Sequence, residues 1–263
     1  MENVGASRED KRDVLAELEQ ALRAPIARET DPDRAKLQLA VLYYASKAVA
    51  NADAARKLLE TQSFYEACIL IRSLYNLTID FLWLCQEPIV RARRFYDFTA
   101  VGFEAEYNRY VKLGIDLPPT ATGAAEQNRG HFSRVADDFR DRKGKLRSEW
   151  AEGTIRSRAE ALERKDPELK PLGEWYELLY KKLSDYEHSA PGLSFEYVQL
   201  DDRFVWAIPR KQIGQPTAHT YGQLLGLLVG LVFRAAIGLG VLDRARLTSN
   251  SAVAADARKD ARG

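Results

Sequence analysis

The sequence predicts an all-α protein, a single multi-helix bundle of six to seven helices with a small β-hairpin before the last long helix. Apolar residues recur every three to four positions through most of the chain, as on the buried face of a helix. Prolines and glycines separate these stretches where helices would begin and end. Only residues 194–208 change to alternating aromatic and β-branched residues, which predicts two short strands.

The composition is typical of a soluble globular chain. Hydrophobic residues make up 46% and charged residues 29%, close to the usual averages. The net charge is +1, so the basic excess of a dedicated nucleic-acid binder is absent overall. Two cysteines and three histidines stand at spacings that fit no zinc site, and we expect no metal and no cofactor.

We expect one domain with two flexible ends. Residues 1–7 form the N-terminal end, residues 8–247 the helical domain and residues 248–263 a small, polar C-terminal tail. Within the domain, residues 115–170 are predicted to be a charged insert of loop and helix. The N-terminus lacks the apolar core of a secretory signal, so we expect a cytoplasmic protein with reduced cysteines.

Four helices are predicted in the first half, over residues 11–22, 32–59, 63–86 and 88–114. Pro25 ends the first of them. Asp31 and Pro32 supply an N-cap and a first-turn proline for the second. The core face of that second helix is expected to include Leu39, Leu42, Tyr43 and Val49.

The second half is predicted to be less regular. Prolines and glycines in residues 115–130 indicate a loop, and the dense mixed charge of residues 131–170 indicates one or two exposed helices. Further helices are predicted over residues 173–189 and 216–246. Arg234 interrupts the apolar run of the last one, which favours a buried helix over a membrane span.

Two polar stripes mark the candidate site. Arg72, Asn76 and Asp80 fall at i, i+4 and i+8 on one face of the apolar third helix. A second stripe at the same spacing consists of Tyr176, Tyr180, Ser184 and His188. Each has a structural reading: the first is a polar seam or a partly exposed face, and His188 is a helix cap or a hydrogen-bonded core histidine.

The functional reading places both stripes in one cleft. Arg72 and His188 would be the catalytic pair, with Arg72 holding a phosphate and His188 acting as general acid–base. The binding residues would be Asn76, Asp80, Tyr180 and Ser184.

Glycines recur on one face of the last helix, at Gly222, Gly226 and Gly230. Each costs the helix roughly 1 kcal/mol relative to alanine, so the stripe suggests that another backbone approaches closely. That neighbour is either a helix of the same core or the same helix across a homodimer axis.

Residues 54–98 resemble a bacterial family of unknown function, number 5677. The resemblance rests on Arg72-Ser73-Leu74, on Trp83-Leu84, on the basic helix at residues 91–95, and on Leu183, Ser184 and His188. It implies a small helical cytoplasmic protein. The family commonly has Glu four residues after the Arg, where this chain has Asn76.

A more distant resemblance is to the HEPN superfamily, whose members include metal-independent ribonucleases and toxins. Their signature places an Arg and a polar residue shortly before a His, and no Arg lies in that window before His188. Two functions follow as expectations. The first is a non-catalytic module that binds or senses a protein partner, in a bacterial system such as phage defence. The second is a ribonuclease or toxin, and only this reading implies RNA.

Overall fold

The computed structural model describes residues 14–115, 119–180, 183, 198–200, 205–207 and 215–243. In these ranges the chain is all-α, as predicted, with eight α-helices rather than six to seven. They are α1 (Val14–Arg23), α2 (Pro32–Glu60), α3 (Phe64–Cys85), α4 (Pro88–Leu113), α5 (Pro119–Val135), α6 (Ile155–Lys165), α7 (Lys170–Trp175) and α8 (Gln215–Gly238). Two 3-10 turns, Ala136–Phe139 and Pro167–Leu169, and a π-helix, Tyr176–Tyr180, lie between them.

Several helix ends follow from local chemistry. The carboxylate of Asp31 accepts two N–H groups of the first turn of α2, at 3.1 and 2.8 Å. Gly114 ends α4 with φ of 65°, a left-handed conformation that glycine adopts without steric cost. Helix α8 ends at Gly238, not near residue 246 as predicted, because the chain turns at Gly240 with φ of 70°.

Helix α5 occupies residues for which the sequence predicts a loop, so that prediction was wrong. Pro119 stands at its first position, where proline is tolerated. Asn128 donates to the backbone carbonyl of Ala100 in α4 at 3.0 Å. The guanidinium of Arg129 lies 5.1 Å from the ring centre of Tyr107, also in α4. These contacts with α4 outweigh the weak helix propensity of the glycines in α5.

The charged stretch after α5 is more buried than predicted. Residues 131–170 were expected to form exposed helices, but Phe139, Trp150, Arg158 and Leu162 are all buried. The rings of Trp150 and Phe95 lie 5.7 Å apart, edge to face. A few large side chains therefore anchor a segment that is otherwise charged.

The buried face of α2 matches the predicted one only in part. Val49 is buried as predicted and Leu42 is half-buried, but Leu39 and Tyr43 are 54% and 50% exposed, so their assignment to the core was wrong. The buried face is made mainly of alanines, which are Ala40, Ala45, Ala48, Ala52 and Ala55. Alanine is only weakly hydrophobic, so a buried face made of alanines is hard to recognise in a sequence. Its small side chain nevertheless lets helices pack closely.

Two short strands, β1 (Val198–Leu200) and β2 (Val205–Ala207), pair antiparallel. Val198 lies opposite Ala207, and Leu200 lies opposite Val205. The turn at residues 201–204 lies outside the described residues, and the hairpin as a whole stays a prediction.

The chain divides into two compact units. One consists of Met1–Ala27, Ala45–Leu74 and Tyr186–Gly263, and the other of Arg28–Tyr44 and Tyr75–Asp185. The boundaries fall inside α2 and α3. In the first unit the rings of Phe64 and Tyr221 meet at 5.1 Å. In the second, Tyr44 packs on Phe81 at 5.2 Å. The domain limits drawn from the sequence stay a prediction.

Two helices are long and apolar enough to cross a membrane, namely α3 and the His219–Gly238 part of α8. Half of each apolar window is buried inside the protein. Core helices of soluble proteins share this property, so the finding is weak evidence for a membrane span.

Candidate functional site

The first predicted stripe lies on a continuous helix. Arg72, Asn76 and Asp80 are all in α3 and all half-buried. The side-chain oxygen of Asn76 is buried and accepts no hydrogen bond from the described residues. Arg72 belongs to one compact unit, whereas Asn76 and Asp80 belong to the other.

Asp80 pairs with an arginine outside both predicted stripes. Its Oδ1 lies 2.9 Å from a guanidinium nitrogen of Arg158, in α6. The Arg158 side chain is only 1% exposed, and that of Asp80 is 24% exposed. Burial of a guanidinium is costly unless its charge is matched and its N–H groups are bonded.

Arg158 makes further contacts through its terminal nitrogens, whereas its buried Nε has no hydrogen-bond partner among the described residues. One terminal nitrogen donates to the carbonyls of Gly153 and Glu152, at 2.9 and 3.3 Å. The other donates to the carboxylate of Glu149 at 3.0 Å. Arg158 thus ties α3, α6 and the loop before α6 together, which is the behaviour of a structural ion pair.

The surroundings of Asp80 change its acidity. Burial raises the pKa of Asp80 to about 6, and Arg158 offsets part of that rise. Burial also raises the pKa of the neighbouring Tyr44 hydroxyl, and the charge of Asp80 adds to it. A carboxyl with a raised pKa beside a cation occurs at catalytic sites and in structural networks alike. The contacts of the Arg158 terminal nitrogens with two carboxylates and two backbone carbonyls favour the structural reading.

The second predicted stripe is only partly described. Tyr176 and Tyr180 stack with ring centres 4.7 Å apart, within the π-helix. Tyr75 of α3 lies 5.8 Å from Tyr180 and donates its hydroxyl to the carbonyl of Leu172 at 2.5 Å. These tyrosines pack as an aromatic cluster.

Ser184 and His188 lie outside the described residues, and the predicted helix over residues 173–189 is described only in part. That helix begins at Lys170 and changes from α to π geometry at Tyr176. The pairing of Arg72 with His188 in one cleft therefore stays a prediction.

The arginines at the start of α4 all have partners within the protein. Arg91 lies over the ring of Trp83, 3.8 Å from its centre. Arg93 forms an ion pair with Asp33. Arg94 donates to the carbonyl of Trp150 at 3.0 Å. This run therefore stabilises the fold rather than presenting free cations.

The glycine face of α8 borders a groove. The groove has a volume of about 720 Å³ and is lined by α1, the end of α2 and α8. Gly222, Gly226 and Gly230 line it, and a Cβ added at any of the three would meet nothing within 4 Å. Among the described residues, no neighbouring helix therefore makes the close approach that the stripe suggested.

Metal and thiol chemistry find little support in the described part of the chain. No group of three or more His, Cys, Asp or Glu side chains there could hold a metal ion. Cys68 and Cys85 are free thiols, and burial raises the pKa of Cys85 to about 12, which keeps it protonated and unreactive.

Arg158 is the residue that sequence reasoning missed. The dense charge around Arg158 favours an exposed helix, so the sequence analysis did not expect it to be buried. The spacing of the apolar residues nevertheless indicates its burial. Arg158 stands three residues after Ile155 and four before Leu162, so it lies on the apolar face of α6.

Comparison with known proteins gives one match. The model of a family described as "Family of unknown function (DUF5677)" matches residues 38–205. No curated protein and no solved structure matches the chain. The matched range contains α3 with Asp80, α6 with Arg158 and the predicted Ser184 and His188, and it covers more than half of the sequence. The chain belongs to the DUF5677 family.

Proposed function

We propose that the chain is a non-catalytic binding module that works as a homodimer through the exposed face of α8. The observation that carries this proposal is the groove of about 720 Å³ beside Gly222, Gly226 and Gly230. Val14 of α1, at the same groove, is 59% exposed. Exposed apolar surface around a groove is typical of an interaction site.

A second copy of α8 fits this face better than a polar ligand does. Only one of its 24 residues, Arg234, is charged, although the face with the glycines is exposed. Leu227, which is 45% exposed, adds apolar surface to that side. Glycines let two helix backbones approach closely, and a two-fold axis would place the same face on both partners.

We further propose a cytoplasmic protein that binds or senses a partner in a bacterial multi-gene system such as phage defence. This part is supported by the absence of known catalytic motifs from the sequence. It is also supported by the buried position of Arg158, whose terminal nitrogens contact Asp80, Glu149 and the carbonyl of Gly153.

The test is the mass of the particle in solution, measured by sedimentation over a range of concentrations. We expect a monomer–dimer equilibrium for the wild type. Gly226→Leu should weaken the dimer at least tenfold, about 1.4 kcal/mol, because the new side chain keeps the backbones apart. Gly102→Leu is the matched control, since Gly102 is also exposed in a helix with nothing within 4 Å of its Cβ position.

Two results would overturn the proposal. One is a monomer at every concentration tested. The other is a dimer that Gly226→Leu and Gly102→Leu affect equally. Circular dichroism of both variants shows whether helicity is retained, which separates loss of the contact from loss of the fold.

A further inference from the structure

A short basic turn stands apart from the features discussed above. Five of the eight residues 140–147 are Lys or Arg, and one is acidic. Arg142, Lys143 and Lys145 are exposed at its tip. The chain has a net charge of only +1, so this is a local concentration of charge in a nearly neutral protein.

The turn has a defined shape. Arg140 and Leu146 form an antiparallel bridge at its base. The N–H of Asp141 donates to the carbonyl of Lys145 at 2.7 Å. Gly144 has φ of 75°, which suits glycine and closes the turn.

Asp141 fixes the turn from inside. Its Oδ1 accepts the backbone N–H groups of Lys143 and Lys145 at 2.8 and 2.9 Å. Beyond the turn, the buried Phe139 and Trp150 anchor both ends of the segment. The cations at the tip are therefore carried on an ordered support.

Three acidic groups near the turn have cationic partners outside its tip. Asp137 pairs with Arg140 at 3.1 Å, and Glu149 pairs with the buried Arg158 at 3.0 Å. Glu152 lies 3.5 Å from Arg94.

By contrast, Arg142, Lys143 and Lys145 have no carboxylate within ion-pair distance in the described part of the chain. Arg142 and Lys145 also line a groove of about 590 Å³ that runs beside the turn. Three exposed cations without a carboxylate partner, two of them at the edge of this groove, attract a polyanion.

The side chains exposed on the turn indicate which kind of polyanion it binds. Leu146 is half-buried, and residues 140–149 expose no large apolar or aromatic side chain. A surface that inserts into a membrane, or that forms the centre of a protein interface, normally presents such side chains. Purely ionic contact is the mode in which proteins hold the phosphates of a nucleic acid without reading its sequence.

We propose that the 140–147 turn binds the phosphodiester backbone of a nucleic acid, with Arg142, Lys143 and Lys145 each contacting a phosphate. The contact is independent of sequence. It uses none of the residues of the α8 face, so the proposal does not rest on the dimer.

The test uses the full chain and a fluorescent single-stranded oligonucleotide of mixed sequence, as RNA and as DNA, with binding followed by anisotropy. Three phosphate contacts predict a slope of about −2 for log affinity against log salt, so affinity should fall roughly 20-fold between 50 and 200 mM salt. The triple variant Arg142→Gln, Lys143→Gln, Lys145→Gln should lose most of the affinity and most of that slope.

A matched control removes the same charge elsewhere. Arg23→Gln, Lys57→Gln, Lys170→Gln neutralises three exposed cations that are paired with Glu19, Asp53 and Glu174. This variant should bind like the wild type. A charge-preserving variant, Lys143→Arg with Lys145→Arg, should do so as well. Circular dichroism shows that each variant is folded.

Three outcomes would overturn the proposal. The first is equal loss of binding in the two triple variants, which would mean that net charge alone is responsible. The second is no binding of either oligonucleotide at low salt. The third is wild-type capture by vesicles of anionic lipid that leaves the oligonucleotides unbound.

Discussion

Arg158 brings a full positive charge into the core of its unit, where its side chain is 1% exposed. Asp80 and Glu149 match that charge through one terminal nitrogen, and two backbone carbonyls accept hydrogen bonds from the other. In such a network the removal of one member is costly, because it leaves the partner's charge buried and uncompensated.

We predict that Arg158→Met lowers the free energy of unfolding by about 3–5 kcal/mol. The double variant Arg158→Met, Asp80→Leu should recover much of that loss, because neither charge then remains buried. Urea denaturation of the four proteins of this cycle measures the coupling. Arg156→Met is the control, since Arg156 is 58% exposed and its ion pairs are superficial; it should cost under about 1 kcal/mol. Additive losses at Arg158 and Asp80 would contradict the prediction.

The raised pKa of Asp80 predicts a particular dependence on pH. The folded chain keeps the Asp80 proton up to a pH of about 6, whereas the unfolded chain releases it near the ordinary pKa of 3.8. The folded state therefore binds more protons in this window, and its stability falls as pH rises.

Relative to Asp80→Asn, the wild type should lose up to about 3 kcal/mol of unfolding free energy between about pH 4 and pH 6. Urea unfolding at a series of pH values checks this. Taking the difference between the two proteins cancels the titration of the other carboxyls. A difference that stays constant with pH would show that burial does not shift the Asp80 proton.

The start of helix α6 is defined by hydrogen bonds at its N-terminus. Thr154 and Ser157 form a capping box: the Thr154 hydroxyl accepts the N–H of Ser157 at 3.1 Å, and the Ser157 hydroxyl accepts the N–H of Thr154 at 2.8 Å. This cap sets where α6 begins, and so it places Arg158 in the second turn, opposite Asp80.

We predict that Thr154→Ala lowers the unfolding free energy by about 1 kcal/mol, the usual effect of losing an N-cap. Ser148→Ala, at an exposed position in the preceding loop, should have no measurable effect. Thermal or urea unfolding compares the two variants. Because the cap also positions Arg158, a loss much smaller than this would mean that the Arg158 network alone holds α6 in place.

Some helices could be predicted from the sequence and others could not. Helices α2, α3 and α4 were predicted within a few residues, because their apolar periods are long and their caps are local. Helix α5 was missed because its stability comes from contacts with α4, which no local pattern reports. The core face of α2 was misassigned at Leu39 and Tyr43, because many of the residues that pack there are small alanines.

At the scale of the whole molecule, the question is whether the chain performs chemistry. We predict that bacteria expressing the wild type, Arg72→Ala or His188→Ala grow equally well, since a binding module acts only with its partner. Soluble protein levels, measured in parallel, show that each variant is folded. Growth arrest by the wild type that both soluble variants relieve would favour the ribonuclease reading instead. Cellular RNA integrity would then identify the reaction.

The sequence by itself determined the all-α class, the family and the long helices, because periodicity, caps and short motifs are local properties. It also placed Arg72, Asn76 and Asp80 on one helix. Only the tertiary structure decided which cation meets Asp80, since Arg158 lies far along the chain and pairing depends on distance in space. It also decided that α8 presents its glycines to a groove, because exposure depends on what neighbouring helices cover.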